Sequence, residues 1–214
     1  MGGRPSLVLP WCKNGCAPEY LRRNPSADRL QLVCLDIRRI LDVAQGLKYL
    51  HTMKPPIVHG DLKGNNILIT DEGRGTLSDF GLAQVIEEIC SQPPEYTTSD
   101  LGFGPIRWQA PELVSDDTGR PKMPGDIWSF GCTNYELLTG KLPYHFRARD
   151  PQVIQDIQNG IRPPGPEENS RRCGDNGIWD LMNDCWINAA EERIQITDVV
   201  FRLEDICART NVLL

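Results

Sequence analysis

The 214-residue chain is 40% hydrophobic and 24% charged, with a net charge of −6. That profile suits one globular domain able to bury about 70% of its unfolded surface. No basic stripe is present to neutralise nucleic-acid phosphates, and no apolar run approaches the ~18 residues that suggest a membrane span.

In chain order, Met1 to Pro10 has one arginine and no long apolar stretch, so it does not read as a secretory signal. Gly2 and Ser6 fit the acylation pattern M-G-x-x-x-S, but no polybasic segment follows to add the second anchoring signal. Leu7-Val8-Leu9, ended by Pro10, reads as a strand entering a linker, and Lys13-Asn14-Gly15 as a turn. A short helix is predicted over Ala17–Arg23, stopping before Asn24-Pro25. A long amphipathic helix follows, from about Ala27 to Thr52, on the spacing of Val33, Ile37, Ile40, Leu41, Ala44, Leu47 and Leu50. Lys54-Pro55-Pro56 breaks it. Ile57-Val58, Ile67-Leu68-Ile69 and Thr76-Leu77 are short strand candidates, with Asp71-Glu72-Gly73 turning between the last two.

Ile86 to Phe103 has no clear period and reads as a long loop. Asp126 to Leu138 is apolar on most sides and predicts a central buried helix. Helices are expected at Pro151–Asn159, Ile178–Trp186 and Ile196–Ala208, with a polar loop from Pro163 to Gly177. The eight cysteines form no C-x-x-C pair, and read as reduced thiols of a cytoplasmic or nuclear protein. Cys12 and Cys16 lack a second ligand pair for a zinc site. His51 and His145 show no partner pattern and read as ordinary surface or interface residues.

The chemistry concentrates in His59-Gly60-Asp61-Leu62-Lys63-Gly64-Asn65-Asn66. Phosphoryl transfer to a hydroxyl needs a carboxylate near the acceptor proton, cations beside the moving phosphoryl, and ligands for Mg²⁺. A loop supplying Asp61, then Lys63, then Asn66 meets all three needs. Asp79-Phe80-Gly81, Ala110-Pro111-Glu112, Asp126-x-Trp128-Ser129-Phe130-Gly131 and Arg193 follow in order. Each has a duller reading: Asp79 and Asp126 as turn or helix caps, Phe80 and Trp128 as plain core.

Together these motifs resemble the eukaryotic protein kinases, whose catalytic signature set is known. The resemblance covers about Leu7 to Ala208, and the Trp108 and Trp128 motifs look most like the tyrosine-kinase-like group, which mostly modifies Ser and Thr. It implies an α+β, protein-kinase-like fold: a predominantly helical C-lobe with short β-hairpins at the active site and no N-lobe. Residues 1–6 would be a leader, 7–208 the hinge and C-lobe of a kinase domain, and 209–214 a tail. It further implies ATP and Mg²⁺ as cofactors and a protein substrate or docking partner. Asp61 would orient or deprotonate the hydroxyl, Lys63 steady the γ-phosphate, and Asn66 and Asp79 bind Mg²⁺. Leu9 would be the gatekeeper. Pro10 and Cys12 would present backbone groups to adenine, and Leu68 would floor its pocket. Asp126 would brace the catalytic loop, Arg193 would pair with Glu112, and His59, Phe80 and Trp128 would pack.

Four departures qualify the resemblance. The 214 residues contain no glycine-rich G-x-G-x-x-G loop, and no V-A-x-K lysine with its helical Glu partner. Those parts hold the ATP phosphates, so the chain alone is expected to be inactive. Gly60 replaces the Arg that usually reads an activation-loop phosphate, although Ser91, Tyr96, Thr97, Thr98 and Ser99 remain open to modification. Gly104-Pro105 stands where Ser/Thr-directed members usually have Gly-Thr. Three readings follow: a protein kinase represented here by part of its domain, a pseudokinase-like protein-binding module, or a chain that associates with a companion supplying the missing N-lobe. The apolar adenine floor and Phe80 are expected to face water.

Overall fold

The computed structural model describes residues 11–24, 29–80, 106–115, 121–165 and 177–209. Among the described residues it is mostly helical, with one small two-stranded sheet. The helices are α1 (Ala17–Arg23), α2 (Arg29–Thr52), α3 (Pro111–Ser115), α4 (Met123–Thr139), α5 (Asp150–Gln158), α6 (Ile178–Cys185) and α7 (Ile196–Arg209). The strands are β1 (Ile67–Ile69) and β2 (Gly75–Leu77). Single 3₁₀ turns stand at Gly64–Asn66 and Ile106–Trp108.

The helical spacing in α2 becomes one buried stripe: Ile37, Ile40, Val43, Ala44, Leu47 and Leu50. That stripe packs mainly on α7, which answers with Val199, Val200, Leu203 and Ile206. Helix α4 runs through the middle and buries Ile127, Trp128, Phe130, Cys132, Tyr135 and Leu137 around much of its circumference. Each fully buried large side chain contributes roughly 1.5–3 kcal/mol of transfer free energy. A second, aromatic cluster gathers Trp108, Trp128, Tyr135 and Trp186, tying the Ile106–Trp108 turn and α6 to α4. Under α5, Tyr144, Val153 and Ile157 form a third.

The hairpin is antiparallel, pairing Ile67 with Leu77, Leu68 with Thr76 and Ile69 with Gly75. Ile67 and Ile69 enter the core, so the strand's alternation turns Leu68 to the opposite face, where it is half-buried. The segment before α1 adds to this edge. Cys16 bridges Leu68, the Ile69 amide donates to the Gly15 carbonyl at 3.0 Å, and the Asn14 side chain donates to the Thr70 carbonyl at 2.7 Å.

The sequence reading places all six long or medium helices to within a few residues; positions 27 and 28 of the second lie outside the described residues, as do the strand at Leu7–Leu9 and the loop at Ile86–Phe103. Ile57-Val58 is a correction: it is not a strand. The Ile57 amide turns back to the Leu50 carbonyl at 3.0 Å, closing off α2. Helix α3 and the two 3₁₀ turns were not anticipated, since three to five residues carry too little periodicity to read.

Candidate active site

The loop between α2 and β1 is shaped by α4 beneath it. Asp126, in the first turn of α4, is 2% exposed. Its Oδ2 accepts from the His59 amide at 2.8 Å and pairs with His51 Nε2 at 2.8 Å; its Oδ1 accepts from the Gly60 amide at 2.9 Å. A buried carboxylate is tolerated here because its oxygens are taken up by donors. Gly60 has φ of +77°, a conformation that favours glycine. His51, read from sequence as a surface or interface residue, is instead buried against Asp126. The signal was available: it lies four residues after Leu47, on the same buried stripe of α2.

With its approach so held, the loop delivers Asp61, Lys63 and Asn66 to one point. The Lys63 ammonium donates to Asp61 Oδ2 at 2.6 Å. Asn66 Nδ2 donates to the same oxygen at 2.9 Å and to the Asp61 carbonyl at 2.7 Å. Asp61 Oδ1 is buried and makes no hydrogen bond within the described structure. A buried carboxylate oxygen without a donor is costly unless something arrives to donate to it.

Asp79 is delivered by the far strand. The Ser78 amide and hydroxyl both donate to the Asn66 carbonyl, at 2.9 and 3.1 Å, so Asp79 follows directly on the residue paired with Asn66. Asp79 is exposed, with φ of +57°, an unusual conformation for a non-glycine residue. Phe80, expected to pack, is 44% exposed, in line with the expectation that its surface faces water. His59 and Trp128 are buried as expected, at 3% and 0% exposure. Burial pushes the His59 imidazole below its ordinary range, against the upward pull of Asp126 and Asp61.

Of the adenine-side residues, Leu9 and Pro10 lie outside the described residues. Cys12 is half-buried and its carbonyl accepts from the Gly15 amide at 3.1 Å, closing the predicted turn. Leu68 lies on the face of the hairpin away from the core, opposite Cys16. The positions proposed for phosphorylation and Pro105 also lie outside the described residues.

The expected Glu112–Arg193 pair is present and bidentate, at 2.8 and 3.0 Å. Arg193 also donates to the carbonyls of Pro124 and Ile187 at 2.6 and 2.9 Å and stacks over Trp128 at 5.3 Å. It thus fastens α3 to the start of α4 and the α6–α7 connection. A second residue that the sequence reading missed is Glu136. Its Oε2 accepts from the Gly64 amide at 3.1 Å, from the opposite end of α4 to Asp126. A carboxylate on a helix buried almost all round was the available signal.

The site offers oxygen donors, the Asp79 carboxylate and an Asn66 side-chain oxygen left over once its nitrogen serves Asp61. Such a set suits Mg²⁺, which typically takes one or two carboxylates together with substrate phosphates. Among the described residues, no helix is long and apolar enough to cross a membrane.

Residues 2–203 match the family model for protein tyrosine and serine/threonine kinase. Over 176 residues the chain is 31% identical to a protein of Acanthamoeba polyphaga mimivirus that carries the provisional name serine/threonine-protein kinase/receptor. The match takes in 82% of this chain, which spans 10% of that relative's length.

Proposed function

The chain belongs to the protein tyrosine and serine/threonine kinase family, and from that premise we propose that it supplies the catalytic half of an ATP-dependent kinase acting on protein Ser and Thr hydroxyls. The observation that carries this is the convergence of Lys63 and Asn66 on one oxygen of Asp61, with the other oxygen buried and unpartnered.

In this reading, Asp61 Oδ1 takes the hydrogen bond of the acceptor hydroxyl and orients its oxygen for attack. Asn66 fixes the carboxylate plane through Oδ2, and the Lys63 ammonium stands beside it to offset phosphoryl charge. Asn66 and Asp79 would hold the magnesium. Magnesium-bound ATP supplies the phosphoryl group and the positive charge that neutralises its oxygens. Leu9, Pro10, Cys12 and Leu68 would line the adenine side. The family's glycine-rich loop and strand lysine are not among these 214 residues; we place them in a longer form or a companion chain, and expect the 214 residues alone to be inactive. The Ser/Thr preference is supported by the name of the mimivirus relative. Buried free thiols at Cys132 and Cys185 support a reducing, cytoplasmic setting.

The test is transfer of labelled phosphate from ATP to a library of Ser- and Thr-containing peptides. It uses protein isolated from its own cells, with any longer form or companion retained. Asp61→Ala is expected to lower turnover by about 10²–10⁴-fold. Turnover indifferent to that substitution would overturn the reading, and none at all from the native protein would favour a docking module.

A further inference from the structure

The catalytic loop is gripped from both ends by one helix. Asp126 near the start of α4 takes the amides of His59 and Gly60, before Asp61. Glu136, ten residues on, takes the amide of Gly64, directly after Lys63.

Gly64 opens the 3₁₀ turn Gly64–Asn66, whose last residue places its amide on Asp61. The first N–H groups of a helical turn lack partners within the turn and need an outside acceptor. The usual source is the capping side chain, but Lys63 makes no capping bond; its ammonium is on Asp61. Glu136 fills that gap from below. The fit is close: a Cβ at Gly64 would come within 2.7 Å of both Glu136 Oε2 and Pro18 Cγ. A side chain there would push the turn off α4 and α1, so glycine lets the backbone reach the carboxylate.

We propose that Glu136 is a positioning residue for phosphoryl transfer: by accepting the Gly64 amide it sets the Gly64–Asn66 turn, and through it the Lys63 and Asn66 contacts on Asp61. Burial pushes the Glu136 carboxyl above its ordinary range, and the Gly64 amide pulls it back, so the contact offsets part of what desolvation costs. This role rests on the kinase reading for its catalytic consequence, but the contact itself is measurable without ATP.

The experiment compares Glu136→Ala and Glu136→Gln by hydrogen exchange at the Gly64 amide and by turnover of the native catalytic form. Loss of the acceptor should speed Gly64 exchange by about tenfold, the worth of one hydrogen bond. It should lower kcat similarly while leaving the KM for ATP unchanged. Glu136→Gln, which keeps an acceptor oxygen, should restore both. Glu136→Met, close in length, repeats the test if the alanine cavity unfolds the protein. Unchanged Gly64 exchange without the acceptor, or a glutamine variant as impaired as alanine, overturns the proposal. Exchange that moves as expected in a protein that transfers no phosphate would leave the contact standing and remove the kinase reading instead.

Discussion

Glu112–Arg193 and Asp61–Lys63 are both pairs of a carboxylate with a cation, yet they are built to opposite ends. The Arg193 side chain is 0% exposed, and its donors go to both Glu112 oxygens and to the carbonyls of Pro124 and Ile187. Nothing in that pair is left over. In the other, the side chains of Lys63 and Asp61 are 22% and 34% exposed, one carboxylate oxygen receives two donors, and the second receives none. A pair with every group matched holds elements together; a pair with one buried oxygen unmatched is waiting for a partner. Opposite charge alone does not separate the two roles, but hydrogen-bond satisfaction does.

That contrast is open to attack by mutation. The largest effect on stability belongs to Arg193→Met, which strands Glu112 and three carbonyls and should cost about 3–5 kcal/mol in urea unfolding. Asp61→Ala should change stability by about 1 kcal/mol or less, because the freed Lys63 ammonium can turn to solvent. Equal losses in the two variants would break the comparison. A smaller effect is expected from His51→Phe. Asp126 would lose one of three donors but keep the His59 and Gly60 amides, so about 1 kcal/mol should be lost. A loss as large as that of Arg193→Met would mean the loop depends on the imidazole more than on the amides.

How much of this was legible in the sequence divides along the same line. The long helices were readable because α2, α4 and α7 repeat their apolar residues over many turns, and Asp61, Lys63, Asn66 and the Glu112–Arg193 pair were readable because motif order fixes them. His51 and Glu136 were not anticipated, since each makes its contact across 72 or more residues of chain. No local spacing encodes such a contact; only the buried stripe each interrupts hints at it. Ile57-Val58 misled for a related reason: two β-branched residues suggest a strand, but the Ile57 amide is taken by the Leu50 carbonyl at the end of α2.

The smallest effect concerns His59, whose imidazole burial holds below its ordinary value of 6.5. In the unfolded chain the ring takes up a proton as the pH falls through 6.5, while in the folded protein it resists doing so. The unfolded state therefore binds more protons in that window, and stability is lost as the solution becomes more acid. One proton sets a ceiling of about 1.4 kcal/mol per pH unit. Glu136 works the other way: its raised value means the folded state holds a proton that the unfolded chain releases, so it weakens the fold as pH rises through the carboxylate range. The two contributions oppose each other in the wild type, and a single stability curve would hide both. Comparing wild type with His59→Gln removes the difficulty, since Glu136 is common to both chains. The difference in unfolding free energy should shrink as pH drops from 7 to 5, with the wild type losing more. Parallel curves would show that the ring takes up its proton alike in both states, with Asp126 and Asp61 offsetting the cost of burial, and a difference that widens on acidification would show that the folded ring holds its proton.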